Sequence, residues 1–332
     1  MAIKIGINGF GRIGRYLLCL LQDNPNLDLV VVNARADNST LAHLLKYDSV
    51  YGRYEKDVRY DDGGLIIGGK HIPVTRRPNN EWDWGARDVD IVVETTGKIT
   101  QREDLAGHLD CGAKKVIISA PGKNPEVTVV MGVNEEVYKP EEHSIISAAS
   151  CTTNCLAPAT KVILDNFGIK HGLMTTIHSY TMGQRILDGS DKDLRRGRAA
   201  AMSMIPTSTG AARATGLVIP ELQGKMDGVS IRVPTPSVSM VDVIYELERD
   251  TTAEEVNSVL KAAVPMMKGS LGYSEEPLVS IDYTGDTHGG VVDSLCTKVM
   301  DKRMLQLLIW YDNEAGFTHQ LVRLLNMVGA SL

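Results

Sequence analysis

The sequence has no apolar run long enough to cross a membrane; stretches such as Leu27 to Val32 fall far short of the roughly 20 residues a spanning helix needs. The N-terminus passes directly into a strand-like segment without the layout of a secretory signal, so no leader is expected. There is no basic excess either. The net charge is -6 with both signs dispersed, and the single basic cluster, Arg195, Arg196 and Arg198, is too short for a polyanion footprint. That argues against nucleic acid and leaves small anions as the fitting partners. Cysteine is sparse: five residues, Cys19, Cys111, Cys151, Cys155 and Cys296, form an odd set without framework spacing. Free thiols in a reducing, cytoplasmic setting are therefore expected. Cys151 and Cys155 lie one helical turn apart, but no second Cys or His pair follows at ligand spacing, so no metal is expected. Internal repeats, low-complexity tracts and an interdomain linker are also missing.

What is present is the composition of a globular enzyme, 43% apolar and 23% charged over 332 residues, more than one comfortable hydrophobic core. The first half alternates strand-like and helix-like stretches: Lys4 to Asn8, Arg12 to Leu21 and Leu27 to Asn33 form a βαβ unit. Strands at 90–95, 115–119 and 144–147, with a helix at 101–111, extend it into a Rossmann-type doubly wound parallel sheet over residues 1–149. A helix at 152–166 containing Pro158 follows. Longer strands at 169–177, 229–233, 239–248 and 305–311, with a helix at 253–268, then predict an α+β domain whose mixed or antiparallel sheet is covered by helices. The Gly-, Arg- and Ser-rich stretch 180–209 reads as a functional loop, and 314–328 as an amphipathic helix.

Gly9-Phe10-Gly11-Arg12-Ile13-Gly14 is G-x-G-x-x-G between a strand and a helix. The first glycine permits the tight turn, the second lets backbone approach a pyrophosphate, and the third allows close helix packing, so the turn predicts a bound dinucleotide. At the end of the second strand, where a carboxylate would hold the ribose hydroxyls, the sequence reads Asn33-Ala34-Arg35. Asp37 follows on what should be loop. A missing acid beside a guanidinium favours a 2'-phosphate, hence NADP as well as NAD. A solvated loop arginine is the plain alternative.

Cys151, in Ser150-Cys151-Thr152-Thr153-Asn154-Cys155, falls where a strand ends and a helix begins, a position that favours thiolate. His178, at the end of the strand 169–177, can meet it in space as a base. Cys155 reads as a packing residue one turn below. A thiolate beside a nicotinamide predicts aldehyde addition to sulfur, hydride loss and a thioester. Thr207-Ser208-Thr209-Gly210, Arg196 and Arg232 favour an anion site that would admit phosphate as the acyl acceptor.

These residues resemble glyceraldehyde-3-phosphate dehydrogenase over essentially the whole chain. The resemblance is carried by IKIGINGFGRIGR at the N-terminus, LAHLLKYDSVYGR at 41–53, KKVIISAPG at 114–122, SAASCTTNCLAP at 147–158 and TTIHSYT at 175–181. It continues through DLRRGRAAA at 193–201, IPTSTGAA at 205–212, IRVPTPSVS at 231–239 and WYDNEAGF at 310–317. It implies that Thr181 and Arg232 hold the substrate's C3 phosphate, and that Ser150, Thr152, Arg196, Thr209 and Gly210 serve the attacking phosphate and the substrate. It further implies Arg12 and Ile13 at the pyrophosphate, Arg77 on the adenine side, and Ser119 and Asn313 at the nicotinamide end. A catalytic domain at 150–313, with an S-loop at about 180–202 reaching a neighbouring subunit's cofactor, a homotetramer, and a terminal helix at 314–332 packing on the first domain are expected. The sequence departs from NAD-specific members at Ala34, where they carry aspartate, and at Gly189-Ser190, where they carry Leu-Pro; both resemble the NADP-accepting biosynthetic branch. Met182-Gly183-Gln184 after Thr181 also departs, touching only local loop shape. The rivals are erythrose-4-phosphate dehydrogenase, which Thr181 and Thr209-Gly210 fit less well, and, in other classes, a non-redox thiol acyltransferase or a binding protein, which the dinucleotide turn and the Cys/His pair oppose.

Overall fold

The computed structural model describes residues 2–332, which divide into two compact units. The first comprises residues up to 129, 135–149 and 321–332; the second comprises 130–134 and 150–320.

In the first unit, β1 (Ile3–Asn8), α1 (Arg12–Leu21) and β2 (Leu27–Asn33) form the expected βαβ start. Helix α1 buries Gly14, Leu17, Leu18 and Leu21, the i, i+3, i+4, i+7 stripe that makes a helix adhere to a sheet. Next come α2 (Asn38–Lys46), the hairpin β3 (Tyr47–Asp48) and β4 (Gly52–Arg53), and the meander β5 (Val58–Tyr60), β6 (Gly64–Ile67) and β7 (Lys70–Thr75). Then β8 (Ile91–Glu94), α3 (Arg102–Asp110), β9 (Lys115–Ile118), β10 (Val127–Thr128) and β11 (Ile145–Ser147) complete a sheet ordered β10-β11-β9-β8-β1-β2-β7-β6-β5. Strands β10 through β7 run parallel; β6 and β5 return antiparallel at the edge. Strand β1 lies between β2, which follows it, and β8, to which the chain returns after β7, so the strand order reverses at β1 and opens a crevice at the carboxyl ends.

The second unit begins with α4 (Cys151–Phe167), one residue longer at each end than expected, and β12 (Ile169–Ser179). After β13 (Ile205–Ser208) and α5 (Ala211–Val218) come β14 (Met226–Val233), β15 (Ser239–Leu247), α6 (Ala253–Ala263), β16 (Leu271–Ser274), β17 (Gly290–Met300) and β18 (Met304–Tyr311). The sheet order is β13-β14-β12-β15-β18-β17-β16, mixed because β12/β14 and β16/β17 are parallel. Strand β15 buries every second residue from Ser239 to Leu247, the period-two signature of a strand covered on one face. The chain closes on α7 (Ala315–Gly329), whose Gly329 packs against the Ile3 side chain within the first unit.

Several elements depart from the sequence expectation. Asp37 lies on the loop as expected, but as the N-cap of α2, a helix the sequence reading did not include: its Oδ1 accepts the Thr40 N–H at 2.8 Å. The stretch 180–209 is not loop throughout, since its end pairs as β13 with β14. Helix 253–268 stops at Ala263, where Pro265 cannot continue the ladder and a 3-10 turn over Val264–Met267 takes over.

Candidate active site

The glycine-rich turn shows why each glycine stands where it does. Gly9 has φ +100°, and a Cβ there would lie 2.8 Å from the Thr96 nitrogen. A Cβ on Gly14 would lie 2.5 Å from the Gly9 carbonyl oxygen, whereas one on Gly11 would meet nothing within 4 Å. The middle glycine thus clears space outside the protein's own packing, as a ligand approaching the backbone requires. Gly11 N-caps α1 without a side chain to satisfy the first-turn N–H groups, so the positive helix end faces that space.

A cavity of about 570 Å³ opens here, lined by Asn8, Gly9, Phe10 and Gly11 and by the cations Arg35, Arg76, Arg77 and Lys98, with no carboxylate in its wall. That chemistry fits a ligand carrying phosphates. Among the described residues Arg35 is exposed and engages no hydrogen bond or ion pair. Ala34 is buried beside it. Asp37, although near in sequence, is committed to its cap; hydrogen bonds from Ser39 and then Thr40 hold its carboxyl well below the usual carboxylate range. Arg76, which sequence reasoning passed over, donates to the Ala36 carbonyl at 2.6 Å and to Asn38 Oδ1 at 2.7 Å, fixing the loop that carries Arg35. Arg77 is anchored by its backbone, whose N–H donates to Asn33 Oδ1 at 2.8 Å.

Two expected cofactor ligands have their side chains engaged otherwise. The Arg12 guanidinium pairs with the Asp48 carboxylate and lies over the Tyr51 ring, so the contact with a pyrophosphate expected of it is open to the backbone at the helix start rather than to this side chain. Ser119 donates its hydroxyl to the Glu94 carbonyl at 3.0 Å, which leaves its oxygen as an acceptor.

In the second unit the sequence-predicted pair comes together. Cys151 Sγ lies 3.5 Å from His178 Nε2 at the first residue of α4. Ser150 is the N-cap; its Oγ accepts the Thr153 N–H at 3.0 Å. The preceding Ala149 is held at φ +57°, an uncommon conformation for a residue with a Cβ and a sharp entry that presents the thiol at the helix end. Strand β12 carries His178 into register with Arg232 on β14. Arg232 Nη1 lies 2.6 Å from His178 Nδ1 and donates to the Ser179 carbonyl at 3.1 Å.

Electrostatics correct one expectation. The helix end was expected to lower the Cys151 thiol, yet burial pushes it up, opposed by the Arg232 charge and by hydrogen bonds from Thr152. Burial, with the Arg232 charge second, takes His178 down to about 3. Both shifts disfavour charge on the pair in the unliganded chain.

The residues expected to bind anions divide. The Arg232 Nε is buried without a partner, and the neighbouring Arg196 charge acts on its guanidinium, so two cations share one region. Arg196 stands 3.6 Å from Asp193. Thr209 Oγ1 accepts the Ala211 N–H at 3.1 Å, and a Cβ on Gly210, the N-cap of α5, would meet nothing within 4 Å. Thr181 is exposed, and its hydroxyl donates to Gln184 Oε1 at 3.0 Å, a consequence of the departure at 182–184. Thr152, expected among the phosphate ligands, is buried instead, its hydroxyl 2.9 Å from Tyr311 OH, which also meets Thr176 Oγ1 at 2.8 Å. Tyr311 ties the start of α4 to β12 and so fixes the Cys151–His178 spacing; as an apolar-looking strand residue it gave no signal beforehand. Asn313 Oδ1 accepts from Ser239 at 2.9 Å, leaving its amide nitrogen to donate. Ser190 lies in the exposed loop, where Arg185 donates to its carbonyl at 2.9 Å. No group of metal-ligating side chains exists among the described residues, and none of their helices is long and apolar enough to cross a membrane.

Comparison with known proteins meets this geometry from outside. Residues 3–102 match the family model described as glyceraldehyde 3-phosphate dehydrogenase, NAD binding domain, and residues 150–313 match its C-terminal domain. A glyceraldehyde-3-phosphate dehydrogenase of Geobacillus stearothermophilus is 57% identical over 98% of this chain and 97% of its own length. Glyceraldehyde-3-phosphate dehydrogenase 1 of Bacillus subtilis strain 168 is 54% identical over 98% and 97%, and glyceraldehyde-3-phosphate dehydrogenase 2 of Streptomyces avermitilis is 50% identical over the whole of both. With a dinucleotide cradle in one unit, a paired thiol and imidazole in the other, and a likeness spanning both, the chain belongs to the glyceraldehyde-3-phosphate dehydrogenase family.

Proposed function

We infer that the chain oxidises the aldehyde of D-glyceraldehyde 3-phosphate and passes the acyl group to inorganic phosphate, giving 1,3-bisphosphoglycerate reversibly, with NAD or NADP as the redox partner. The observation that carries this reading is the 3.5 Å approach of Cys151 Sγ to His178 Nε2 at a helix N-terminus, in a chain that also holds a dinucleotide turn.

Cys151 is the nucleophile. Its sulfur adds to the aldehyde carbon while the thiol proton passes by way of His178 to the former carbonyl oxygen, whose developing negative charge is met by the N–H groups opening α4. His178 then takes the hydroxyl proton as the hemithioacetal becomes a thioester. The bound nicotinamide supplies the hydride acceptor, with Ser119 and Asn313 at that end. Arg232 and Thr181 hold the C3 phosphate; Arg196, Thr209, Gly210 and Ser150 serve the attacking phosphate, with Thr152 acting through its backbone. Gly9, Gly11, Arg12, Ile13 and Gly14 form the pyrophosphate seat, with Arg77 on the adenine side.

Residues 1–149 bind the cofactor and 150–313 carry the chemistry, while of the terminal helix expected over 314–332 it is the part from 321 onward that belongs with the first unit. NADP is accepted because Ala34 leaves room where an aspartate would repel and Arg35 is unengaged; Ser190 adds a donor from a neighbouring subunit's S-loop in a homotetramer. The exposed Met182, Ile186, Leu187 and Leu194 support burial of that loop in an assembly. Five free cysteines suit the cytoplasm. An initial-rate assay with glyceraldehyde 3-phosphate, comparing NAD with NADP and phosphate with buffer alone, tests the reading: turnover dependent on phosphate is expected with both cofactors, and phosphate-independent acid formation or no reduced nicotinamide would overturn it.

A further inference from the structure

Four neighbouring strands of the first sheet, β8, β1, β2 and β7, end on Glu94, Asn8, Asn33 and Thr75, and these residues stand opposite one another in register. Their side chains join into one row of hydrogen bonds. Asn8 Nδ2 donates to Glu94 Oε2 at 2.6 Å, Asn33 Nδ2 donates to Asn8 Oδ1 at 2.8 Å, and the Thr75 hydroxyl donates to Asn33 Oδ1 at 2.9 Å. Asn33 also grips the Arg77 backbone on both sides: its Oδ1 accepts the Arg77 N–H at 2.8 Å and its Nδ2 donates to the Arg77 carbonyl at 3.1 Å. Every bond between side chains in the row points the same way, toward Glu94.

Glu94 is almost wholly buried, and donors surround its carboxylate. Besides Asn8, Oε2 meets His108 Nε2 at 3.3 Å, while Oε1 accepts the Thr96 N–H at 2.6 Å and the Thr96 hydroxyl. His108 carries its ring proton on Nε2, because Trp84 Nε1–H, which can only donate, lies 3.1 Å from Nδ1. Four donors thus face the two oxygens, as many as a carboxylate has acceptor sites, and none belongs to a lysine or arginine. A glutamine of the same shape would cost less to bury than this uncompensated charge. Its NH2, however, would face two donors. Turned toward Asn8, it forces that amide to reverse, which hands the conflict to Asn33; reversing Asn33 hands it to the Arg77 N–H, which has no second orientation. Turned the other way, it meets the Thr96 N–H, which has none either.

Both ends of the row are walls of the cavity over the glycine turn, Thr96 at one end and Arg76, Arg77 and Pro78 at the other. We propose that Glu94 is a positioning residue for the dinucleotide. Its carboxylate, by accepting on both oxygens, directs the Asn8–Asn33 row and so sets the Thr96 turn and the Arg77 backbone where the cofactor meets them, which rests on reading this cavity as the dinucleotide seat. Glu94 acts on cofactor affinity through these two walls.

Calorimetric titration of NAD into the full-length protein tests this with a double-mutant cycle of Glu94→Gln and Asn33→Ala, two positions separated by strand β1. Each single variant is expected to bind at least about ten-fold more weakly, and the double no more weakly than the worse single, because both break the same row. Singles within about two-fold of wild type, or losses that multiply in the double as independent loosening would make them, overturn the proposal. Hydrogen exchange of the ligand-free proteins supplies the second readout. The Arg77 N–H is expected to exchange about ten-fold faster or more in Glu94→Gln while the N–H groups of β9, outside the row, keep their wild-type rates; unchanged exchange at Arg77 also overturns the proposal. Where Glu94→Gln does not fold, Glu94→Asp takes its place with the same expectations, since it draws the carboxylate back from Asn8 by one methylene. If wild type takes up no NAD, it is the dinucleotide reading that fails, and exchange at Arg77 still decides whether Glu94 sets this wall.

Discussion

The two units bind by different means. In the first, the ligand seat is made of backbone: three glycines within six residues, a helix end, and a rim of arginines of which Arg76 is tied to the loop carrying Arg35. In the second, the proposed reacting groups are side chains from separated segments, Cys151 on α4, His178 on β12 and Arg232 on β14, aligned by sheet register and by the Tyr311 hydroxyl. A backbone seat is insensitive to most substitutions and very sensitive to an added Cβ. A side-chain site is the reverse, since each member is chemically irreplaceable while the space around it is set by ordinary packing.

The largest effects should come from the second kind of site. Cys151→Ser should abolish turnover, because a serine hydroxyl beside a neutral imidazole is a far poorer nucleophile, and His178→Asn should slow acylation by roughly 10² to 10⁴. Both should leave cofactor titrations unchanged. Stopped-flow absorbance at the reduced nicotinamide band checks the first point and cofactor fluorescence quenching the second; a Cys151→Ser protein that still turns over would end the assignment.

Next in size, alanine substitutions separate the roles of the glycines. Gly14→Ala places a Cβ 2.5 Å from the Gly9 oxygen and should cost stability of about 1–3 kcal/mol along with cofactor affinity. Gly11→Ala meets no protein atom, so it should fold with an unchanged melting temperature and yet bind the dinucleotide at least about ten-fold more weakly. Equal affinities for wild type and Gly11→Ala in a calorimetric titration would show that the ligand does not lie over this turn.

The same contrast explains what the sequence disclosed. The glycine turn is local, so six consecutive residues and their flanking periodicity were enough to read it. Cys151 and His178 were legible from a helix start and a strand end, but the placement of Arg232 against the imidazole depends on β12 and β14 lying side by side. Arg76 and Tyr311 escaped because their roles are contacts between distant segments. Strand β17 was missed for a physical reason: its pairing with β18 slips between Asp293 and Lys298, which breaks the alternation a reader relies on. Helix α2 was missable only by neglect, since Asp37 caps it and Asn38, Leu41, Ala42 and Leu45 form a regular buried stripe.

A smaller effect concerns the rim. Loss of a charge-assisted contact to a 2'-phosphate is worth about 1.5–3 kcal/mol, so Arg35→Ala should weaken NADP about ten-fold or more and spare NAD. Ala34→Asp should shift the preference toward NAD by repelling the phosphate. If neither changes the ratio of kcat/KM for the two cofactors, Arg35 is a solvated loop residue and Ala34 carries no specificity.

The smallest effect separates the two regions by acid. A backbone cradle gains no proton in the weakly acidic range, whereas His178 does. In the folded protein burial and the Arg232 charge put it at about 3, against an ordinary value of 6.5. Between those values the unfolded chain binds a proton at this residue and the folded chain does not, so falling pH favours unfolding. The stability His178 contributes by staying neutral is complete above pH 6.5 and is lost progressively as the pH falls toward 3. Each pH unit inside the window is worth at most about 1.4 kcal/mol, so from pH 6.5 to 5 wild type should lose up to roughly 2 kcal/mol more than His178→Asn. Carboxylates scarcely titrate in that interval, and any other histidine cancels in the difference. Urea unfolding of both proteins at pH 6.5 and 5, followed by hydrogen exchange, measures it: the extra loss should appear in peptides around α4, β12 and β14 and be absent from β1 and α1. Identical pH profiles for the two proteins would mean that His178 is already charged in the folded state, and the neutral thiol–imidazole pair would have to give way to an ion pair.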